Sequence, residues 1–176
     1  GNWELCLSDG SGASSPLDGY LNKLKQREGR VKVVCHERPL QISDNTNAAI
    51  REAVGDYIVF ADHDDLLAEH ALYECARVLQ EQPDTELIYS DEDKVSMNGN
   101  RYFEPHFKSD YNPDLLCSMN YFCHLVAVRR SLAEQAGLLD EAFDGAQDYD
   151  FVLRCTEHTD KIVHIPKVLY HWRAHE

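Results

Sequence analysis

Short apolar runs alternate along the chain with longer segments in which apolar residues recur every three or four positions. The runs at residues 4–8, 31–35, 57–61 and 87–90 predict buried strands. Helices are predicted between them at 16–27, 43–54 and 69–82, the last with Leu72, Cys75 and Leu79 on one face. Because strands and helices alternate, the pattern predicts an α/β fold.

The second half of the sequence has a looser pattern. A turn at 98–100 predicts a hairpin whose return arm holds Tyr102 and Phe103. Further on we expect a strand at 121–128, helices at 131–136 and 148–157, and two short strands at 162–165 and 168–172 separated by Pro166. No linker or repeat interrupts the sequence, so residues 1–176 are predicted to form a single domain.

The amino-acid composition and the charge exclude some classes of function. The hydrophobic content of 43% and charged content of 27% are ordinary for a globular protein, and the formal net charge of −14 argues against a nucleic-acid surface. No stretch has the length of a membrane span, so we expect membrane contact only through parts outside this sequence, if at all. The six cysteines form no CxxC pair, which favours reduced thiols and a cytoplasmic location.

The most informative segment is the predicted strand at 57–61, which leads directly into Asp62, Asp64 and Asp65. Like charges resist such crowding, and a divalent cation would relieve the repulsion. Oxygen ligands suit Mg²⁺ or Mn²⁺, and ligands of open α/β sheets sit at the carboxyl ends of strands. We therefore expect a metal–diphosphate site here, with Asp65 capping the next helix. The alternative is that all three carboxylates serve only as caps and turn residues.

Four motifs resemble those of the family 2 glycosyltransferases in order and spacing. They are Asp9-Gly10-Ser11, Asp62-His63-Asp64-Asp65, Gly145-Ala146-Gln147-Asp148-Tyr149-Asp150 and Tyr170-His171-Trp172-Arg173. The resemblance implies the GT-A fold, a Rossmann-like three-layer α/β/α sandwich with a mostly parallel central sheet. It also implies an inverting enzyme that uses a nucleotide-sugar donor. The chain looks most like bacterial members that build O-antigen and other surface polysaccharides, including rhamnosyltransferase-like ones.

Two features depart from the family pattern. Family members usually begin with a strand and a Pro-Val-Tyr-Asn-like segment that helps to hold the nucleotide. Here residues 3–8 already read as a strand, and we expect the domain to lack that first strand. The family also tends to have paired aspartates where this chain has Ser8-Asp9, which puts part of the nucleotide-base contact in question.

The resemblance assigns roles to five residues. Asp62 would hold the donor ribose or a metal-bound water, and Asp64 would ligate Mn²⁺ or Mg²⁺. His171 would complete the metal sphere, although a single histidine is more often structural. Arg173 would meet the diphosphate, which a guanidinium group matches bidentately. Asp9 would contact the nucleotide base or ribose, with a plain turn aspartate as the alternative.

Asp148 resembles the catalytic base of the family. If 148–157 is helical, Asp148 lies over Phe151 and Cys155 on the apolar face, whereas Asp150 is spaced to pair with Arg154. A carboxylate against apolar surface has its ionised form disfavoured, which suits a base. The alternative is a carboxylate placed at a helix N-terminus because the helix dipole favours it.

We therefore expect an inverting transferase that moves a sugar from a nucleotide-diphosphate donor to a saccharide or lipid-linked saccharide acceptor in surface polysaccharide synthesis. The cytoplasm is the expected location, with the inner face of the cell membrane as an alternative. Two other functions stay open. One is a metal-dependent nucleotidyltransferase, and the other is an inactive or sugar- or nucleotide-binding fragment.

Overall fold

The computed structural model describes residues 2–175, and its elements alternate as predicted. The first half contains β1 (Leu5–Asp9), α1 (Asp18–Arg27), β2 (Val31–Cys35), α2 (Ile42–Glu52), β3 (Tyr57–Phe60), β4 (Leu66–Leu67) and α3 (Ala71–Glu81). The second half contains β5 (Leu87–Val95), β6 (Tyr102–His106), α4 (Pro113–Ser118), β7 (Val126–Arg129), α5 (Arg130–Ala136), a 3-10 turn (Glu141–Phe143), α6 (Gln147–Thr156) and β8 (Ile162–Arg173). No helix in the described range 2–175 has the length and apolar character needed to cross a membrane.

The strands form two sheets. β1 and β2 pair in parallel, and a six-stranded sheet has the order β3-β7-β5-β8-β4 with β6 also paired to β5. Within the larger sheet only β5 and β8 are parallel, while β3–β7, β5–β7, β5–β6 and β4–β8 are antiparallel. The predicted α/β class is confirmed. The sheet is mixed rather than mostly parallel, because β6 returns from β5 as a hairpin and both β7 and β4 run antiparallel to the strands beside them.

The core lies on both faces of the central strand β5. Leu87 and Tyr89 belong to an apolar cluster that includes residues of α5 and α6, whereas Ile88 belongs to a second cluster with residues of α3. Alternate residues of a strand face opposite sides, so β5 joins two helical layers. Leu87 and Ile88 are both 0% exposed, and burial of each side chain contributes roughly 2–3 kcal/mol.

Residues 91–94 are a charged run just beyond the predicted strand 87–90, where a charged loop or a border of the acceptor site was expected, but the structure includes them in β5. Each charge has a partner from another element. Asp91 contacts His164 at 2.8 Å and Asp93 contacts His171 at 2.5 Å, while Glu92 pairs with Lys108 at 3.5 Å and Lys94 with Glu104 at 2.6 Å. These partners are distant in sequence, which is why local pattern did not reveal that the strand continues.

β8 is also longer than predicted, because Pro166 does not end it. Ser90 pairs with Ile165 and the next residue, Asp91, pairs with Val168, so two residues of β8 are left over. Proline has no amide hydrogen for a ladder and is tolerated at such an irregularity. Conversely, β7 covers only the second half of the predicted strand 121–128, and residues 121–125 are irregular.

The start of α2 differs from the expectation that Ser43 or Asp44 caps this helix. The helix begins at Ile42 after Gln41, and no side chain caps it. Ser43 instead lies inside the helix, where its amide donates to Oδ1 of Asp144 at 3.2 Å and its hydroxyl donates to the same atom. This contact ties α2 to the segment that precedes α6.

Lys108 provides a test of the buried charges. Burial lowers the pKa of its ammonium group, and the Glu92 carboxylate acts in the opposite direction. We expect Glu92→Gln to lower the free energy of unfolding by roughly 2–3 kcal/mol, because it leaves a buried cation less compensated. Glu104→Gln, which removes the exposed partner of Lys94, is the matched control and should cost under about 1 kcal/mol. Equal losses in urea unfolding would contradict a structural role for the Glu92–Lys108 pair.

Candidate active site

A cavity of about 300 Å³ opens between β1, β3 and the start of α6. Apolar walls come from residues such as Phe60, Phe151 and Val152. Several polar side chains also line it, namely Ser8, Asn45, Asp62, Asn120, His124 and Asp148. A concave site with apolar walls and a few convergent polar groups is typical of a small-molecule site. The cavity lies at the carboxyl end of β3, where the sequence predicted ligand binding.

The turn after β3 is held by the last strand, β8. The Tyr170 hydroxyl donates to Oδ2 of Asp65 at 2.7 Å and accepts from the amide of Asp62 at 3.0 Å. Asp65 Oδ1 accepts from the amide of Arg173 at 2.7 Å. The prediction that Asp65 caps the next helix is therefore wrong, because both of its oxygens bind β8 and α3 starts only at Ala71. Asp65 fixes the acidic turn onto the sheet.

Asp62 is exposed enough to meet a ligand, yet its charge is disfavoured. Its side chain is 59% exposed, and Nε2 of His124 lies 3.6 Å from its Oδ2. Loss of water around the carboxyl group raises the pKa of Asp62, His124 lowers it, and the carboxylates of Asp65, Asp64 and Asp148 raise it further. Crowded negative charge is thus a feature of the folded site as well as of the sequence.

Asp62, Asp65 and His124 can present ligand atoms to one cation. One atom from each lies within 4.8 Å of the others. Two carboxylates and an imidazole are a donor set that suits Mn²⁺ or Mg²⁺. The residues present therefore fit a divalent cation, although the set differs from the one expected from the sequence.

Asp64 and His171 are not paired with each other. Nδ1 of His171 lies 2.5 Å from Oδ1 of Asp93, because the β5–β8 register places these residues opposite each other. Oδ2 of Asp64 instead lies 2.7 Å from Nε2 of His175, and this hydrogen bond lowers the pKa of Asp64. His175, rather than His171, is thus the histidine in contact with Asp64. Metal ligation by Asp64 and His171 stays a prediction.

Arg173 supports the acidic turn through its backbone and its side chain. Its Nε donates to the carbonyl oxygen of Asp64, and Nη1 donates to that of Met97 at 2.8 Å. Two of its guanidinium nitrogens thus bind the main chain, which ties the turn to the β5–β6 hairpin. A contact from Arg173 to a diphosphate stays a prediction.

Asp9 lies at the end of β1 and is only 6% exposed. Its Oδ1 accepts from the amide of Ser11 at 3.0 Å, and its Oδ2 accepts from the hydroxyl of Ser15. The hydrogen bond from Ser15, followed by that from Ser11, lowers the pKa of Asp9. These contacts match the turn role that was weighed as an alternative. Nucleotide binding by Asp9 stays a prediction.

Asp148 lines the cavity from the first turn of α6. Nδ2 of Asn120 donates to its Oδ2 at 3.0 Å. The predicted pair of Asp150 with Arg154 is present at 2.6 Å, and Arg154 Nη2 also donates to the carbonyl of Leu138 at 2.7 Å. One face of α6 is thereby anchored to the end of α5, while Asp148 is left facing the cavity.

Three site residues were missed by reasoning from the sequence: Asn120, His124 and His175. Asn120 and His124 flank the apolar residues that were assigned to a single strand, and no spacing pattern relates them to Asp62 or Asp148. His175 lies four residues after His171, the C-terminal histidine that the resemblance singled out, and it contacts Asp64. Only the tertiary structure brings Asn120 and His124 to the cavity and His175 to Asp64.

The family comparison agrees with this geometry. The model of "Glycosyl transferase family 2" matches residues 1–137. The chain belongs to glycosyl transferase family 2. Its class is therefore that of a glycosyltransferase domain, as the motifs had indicated.

Two curated relatives match almost the whole chain. It is 43% identical to the uncharacterized protein y4gI of Sinorhizobium fredii and 38% identical to the O-antigen biosynthesis protein RfbC of Myxococcus xanthus, each over 98% of this chain. The alignments span only 19% and 13% of those proteins. This family 2 chain is thus comparable to one segment of much longer relatives.

Solved structures support the fold. The S. aureus TarS 1–349 structure in complex with UDP-GlcNAc superposes with a TM-score of 0.72 over 93% of this chain and 48% of that one, at 17% identity. TarS 1–349 with UDP gives a TM-score of 0.71 at the same identity. The family 2 chain therefore has the GT-A fold implied by its motifs, in the mixed-sheet form described above.

The cation fit can be tested with Asp62→Asn. Since the folded-state pKa of Asp62 lies above its ordinary value near 3.8, ionisation of Asp62 destabilises the metal-free fold as the pH rises. We expect the variant to melt at a higher temperature than wild type at pH 7 without metal, and the gain to vanish below about pH 4. Mn²⁺ at 100 times its dissociation constant should stabilise wild type by about 2.7 kcal/mol and the variant far less.

The matched control is Asp84→Asn, which removes one charge from an exposed carboxylate at 3.8 Å from Lys161. Its response to Mn²⁺ should equal that of wild type. A full Mn²⁺ shift in Asp62→Asn would remove Asp62 from the cation site. Differential scanning calorimetry at both pH values measures all of these quantities.

Proposed function

We propose that this domain catalyses inverting transfer of a sugar from a nucleotide-diphosphate donor to a hydroxyl group of a saccharide or lipid-linked saccharide. One observation carries the proposal. In a family 2 chain, a carboxylate with the position expected of a base (Asp148) and the acidic turn (Asp62) line the same cavity. Asp148 can therefore act on an acceptor hydroxyl beside the same donor whose diphosphate lies at the acidic turn.

Asp148 has the chemistry for the proton transfer. In a single displacement, the acceptor hydroxyl attacks the anomeric carbon from the face opposite the nucleotide, and a carboxylate takes its proton as the new bond forms. The glycosidic bond to the diphosphate breaks in the same step, so the configuration at the anomeric carbon inverts. Asp148 is available for this role because Asn120 occupies only one of its oxygens.

The leaving diphosphate needs compensation for its negative charge. Asp62, Asp65 and His124 are the residues that would hold a divalent cation, with Asp64 and His175 next to them. A cation bound there would supply charge neutralisation for the diphosphate, so that the protein would not need to provide an acid. Tyr170 and Arg173 keep these ligands in place through the hydrogen bonds to Asp65.

The donor and the biological setting follow from the relatives, within this proposal. A structure of TarS holds UDP-GlcNAc, which makes uridine-diphosphate sugars the first donors to test, followed by dTDP-sugars. RfbC is named for O-antigen biosynthesis, which supports a role in bacterial surface polysaccharide assembly. All six cysteines are free thiols, consistent with a cytoplasmic location or the inner face of the cell membrane.

We also propose that an extended segment, preceding residue 1 in a longer parent protein, completes the sheet between β1 and β3. Within residues 2–175, β1 pairs only with β2 and β3 pairs only with β7, so each keeps a free edge. Both strands line the same cavity, through Leu7 and Ser8 on one side and Phe60 and Ala61 on the other. Unpaired edges of this kind bind further strands readily. A strand there would adjoin the donor cavity.

The base role of Asp148 predicts a specific kinetic change. Asp148→Asn should reduce the rate of sugar transfer by about 10²–10⁴-fold, because the amide cannot accept the proton. Binding of UDP-GlcNAc with Mn²⁺, measured by calorimetry, should change little. Glu157→Gln, at the exposed end of the same helix, should retain normal turnover.

The assay should follow both products over a panel of UDP- and dTDP-sugars, with and without Mn²⁺. Release of nucleoside diphosphate together with a glycosylated acceptor is the expected result. Release of pyrophosphate would assign the domain to nucleotidyl transfer instead. Near-normal transfer by Asp148→Asn would exclude Asp148 as the base.

The free edges predict a difference in hydrogen exchange. The amides of β1 and β3 that face the gap should exchange quickly in the 176-residue chain. In a version extended at its N-terminus by the natural preceding residues, they should become protected and the protein should melt at a higher temperature. An extension with prolines replacing alternate residues is the control, since proline cannot donate to a ladder. Identical exchange in all three proteins would refute a strand in this gap.

A further inference from the structure

The loop at residues 120–124 joins α4 to β7 and carries two side chains of the site. Its conformation is set by Lys108, which is only 8% exposed. Nζ of Lys108 donates to the carbonyl oxygens of Phe122 and His124, both at 2.7 Å. A buried ammonium group that binds two carbonyls in one loop fixes the path of that backbone.

Glu92 completes the support of the loop. Its Oε2 accepts from the amide of His124 at 3.1 Å and lies 3.5 Å from Nζ of Lys108. Both the amide and the carbonyl of His124 are therefore bound by side chains from the β5–β6 region. The loop has little freedom to shift relative to the central sheet.

Asn120 connects this fixed loop to the cavity. Its Oδ1 accepts from the amide of Cys123 at 3.4 Å, and its Nδ2 donates to Oδ2 of Asp148 at 3.0 Å. An amide group has a donor end and an acceptor end, so these two contacts fix which end points at Asp148. The loop thus presents a donor to the carboxylate at an angle set by the backbone.

We propose that Asn120 is a positioning residue that holds Asp148 in one orientation, so that Oδ1 is the oxygen that receives the proton from the acceptor hydroxyl. The proposal rests on the proposed function. A proton acceptor must direct a lone pair at the reacting hydroxyl, and small misplacements reduce rates strongly. Asn120 binds Oδ2 without carrying a charge, so it orients Asp148 and leaves its negative charge in place.

Kinetics test the proposal with Asn120→Ala, and Met119→Ala serves as the control because that neighbouring side chain is 47% exposed. We expect Asn120→Ala to lower kcat by about 10–100-fold while the donor KM and the melting temperature stay close to those of wild type. Asn120→Asp, which offers no amide hydrogen, should not restore the rate. A rise in donor KM or a fall in melting temperature that explains the whole loss would overturn the positioning role.

A double-mutant cycle separates positioning from general damage. In the Asp148→Asn background, Asn120→Ala should have almost no further effect on the residual rate, because the oriented group is already gone. A structural role would reduce the rate by the same factor in both backgrounds. Additive losses would therefore contradict the proposal.

The hydrogen bond can also be measured without turnover. In ¹⁵N-labelled protein of 20.1 kDa, the side-chain amide resonances of Asn120 should shift on Asp148→Ala and stay unchanged on Asp160→Ala, an exposed carboxylate beyond α6. Unchanged Asn120 resonances in Asp148→Ala would overturn the contact itself. Lack of sugar transfer by wild type would instead overturn the proposed function, and the resonances would still decide whether Asn120 holds Asp148.

Discussion

Charge compensation along β5 is the constraint on which the rest of this structure depends. Four consecutive charged residues, 91–94, lie in the central strand of the sheet, and at the two buried positions, Asp91 and Glu92, an isolated charge would be strongly unfavourable. Each is matched by a group from another part of the chain, and two of these groups, His164 and His171, come from β8. The parallel register of β5 and β8 therefore aligns acidic side chains with histidines in addition to forming backbone hydrogen bonds. Slippage of β8 by one residue would move both histidines away from Asp91 and Asp93.

The same matched charges determine where the site residues lie. Lys108 and Glu92 fix the loop that carries Asn120 and His124, and β8 carries Tyr170, which holds the acidic turn from the opposite side. The cavity is thus bordered by two irregular segments, each attached to the regular sheet by buried polar contacts. Preorganisation of this kind places the polar groups of a site before a ligand arrives.

Most regular elements could be predicted from the sequence, because their apolar periodicity is local. The acidic residues after β3 were located for the same reason, since a buried strand followed by carboxylates is visible in a few residues. Errors arose where distant residues decide the outcome. Asp65 was expected to cap a helix, but Tyr170 binds it. The strand register that places His171 opposite Asp93 is likewise invisible in the local sequence, and metal ligation by His171 stays a prediction. Asn120 and His124 have no local signature at all.

The Arg154–Asp150 pair has a consequence beyond its own energy. Its spacing on α6 reads as an ordinary surface pair, yet Arg154 is largely buried and also donates to the carbonyls of Ala136 and Leu138. It thereby satisfies oxygen atoms that the end of α5 would otherwise leave unbound. Contacts on the face of α6 that points away from the cavity consequently fix how this helix is rotated about its own axis. Far fewer residue types should therefore be tolerated at position 154 than at an ordinary exposed position of a helix.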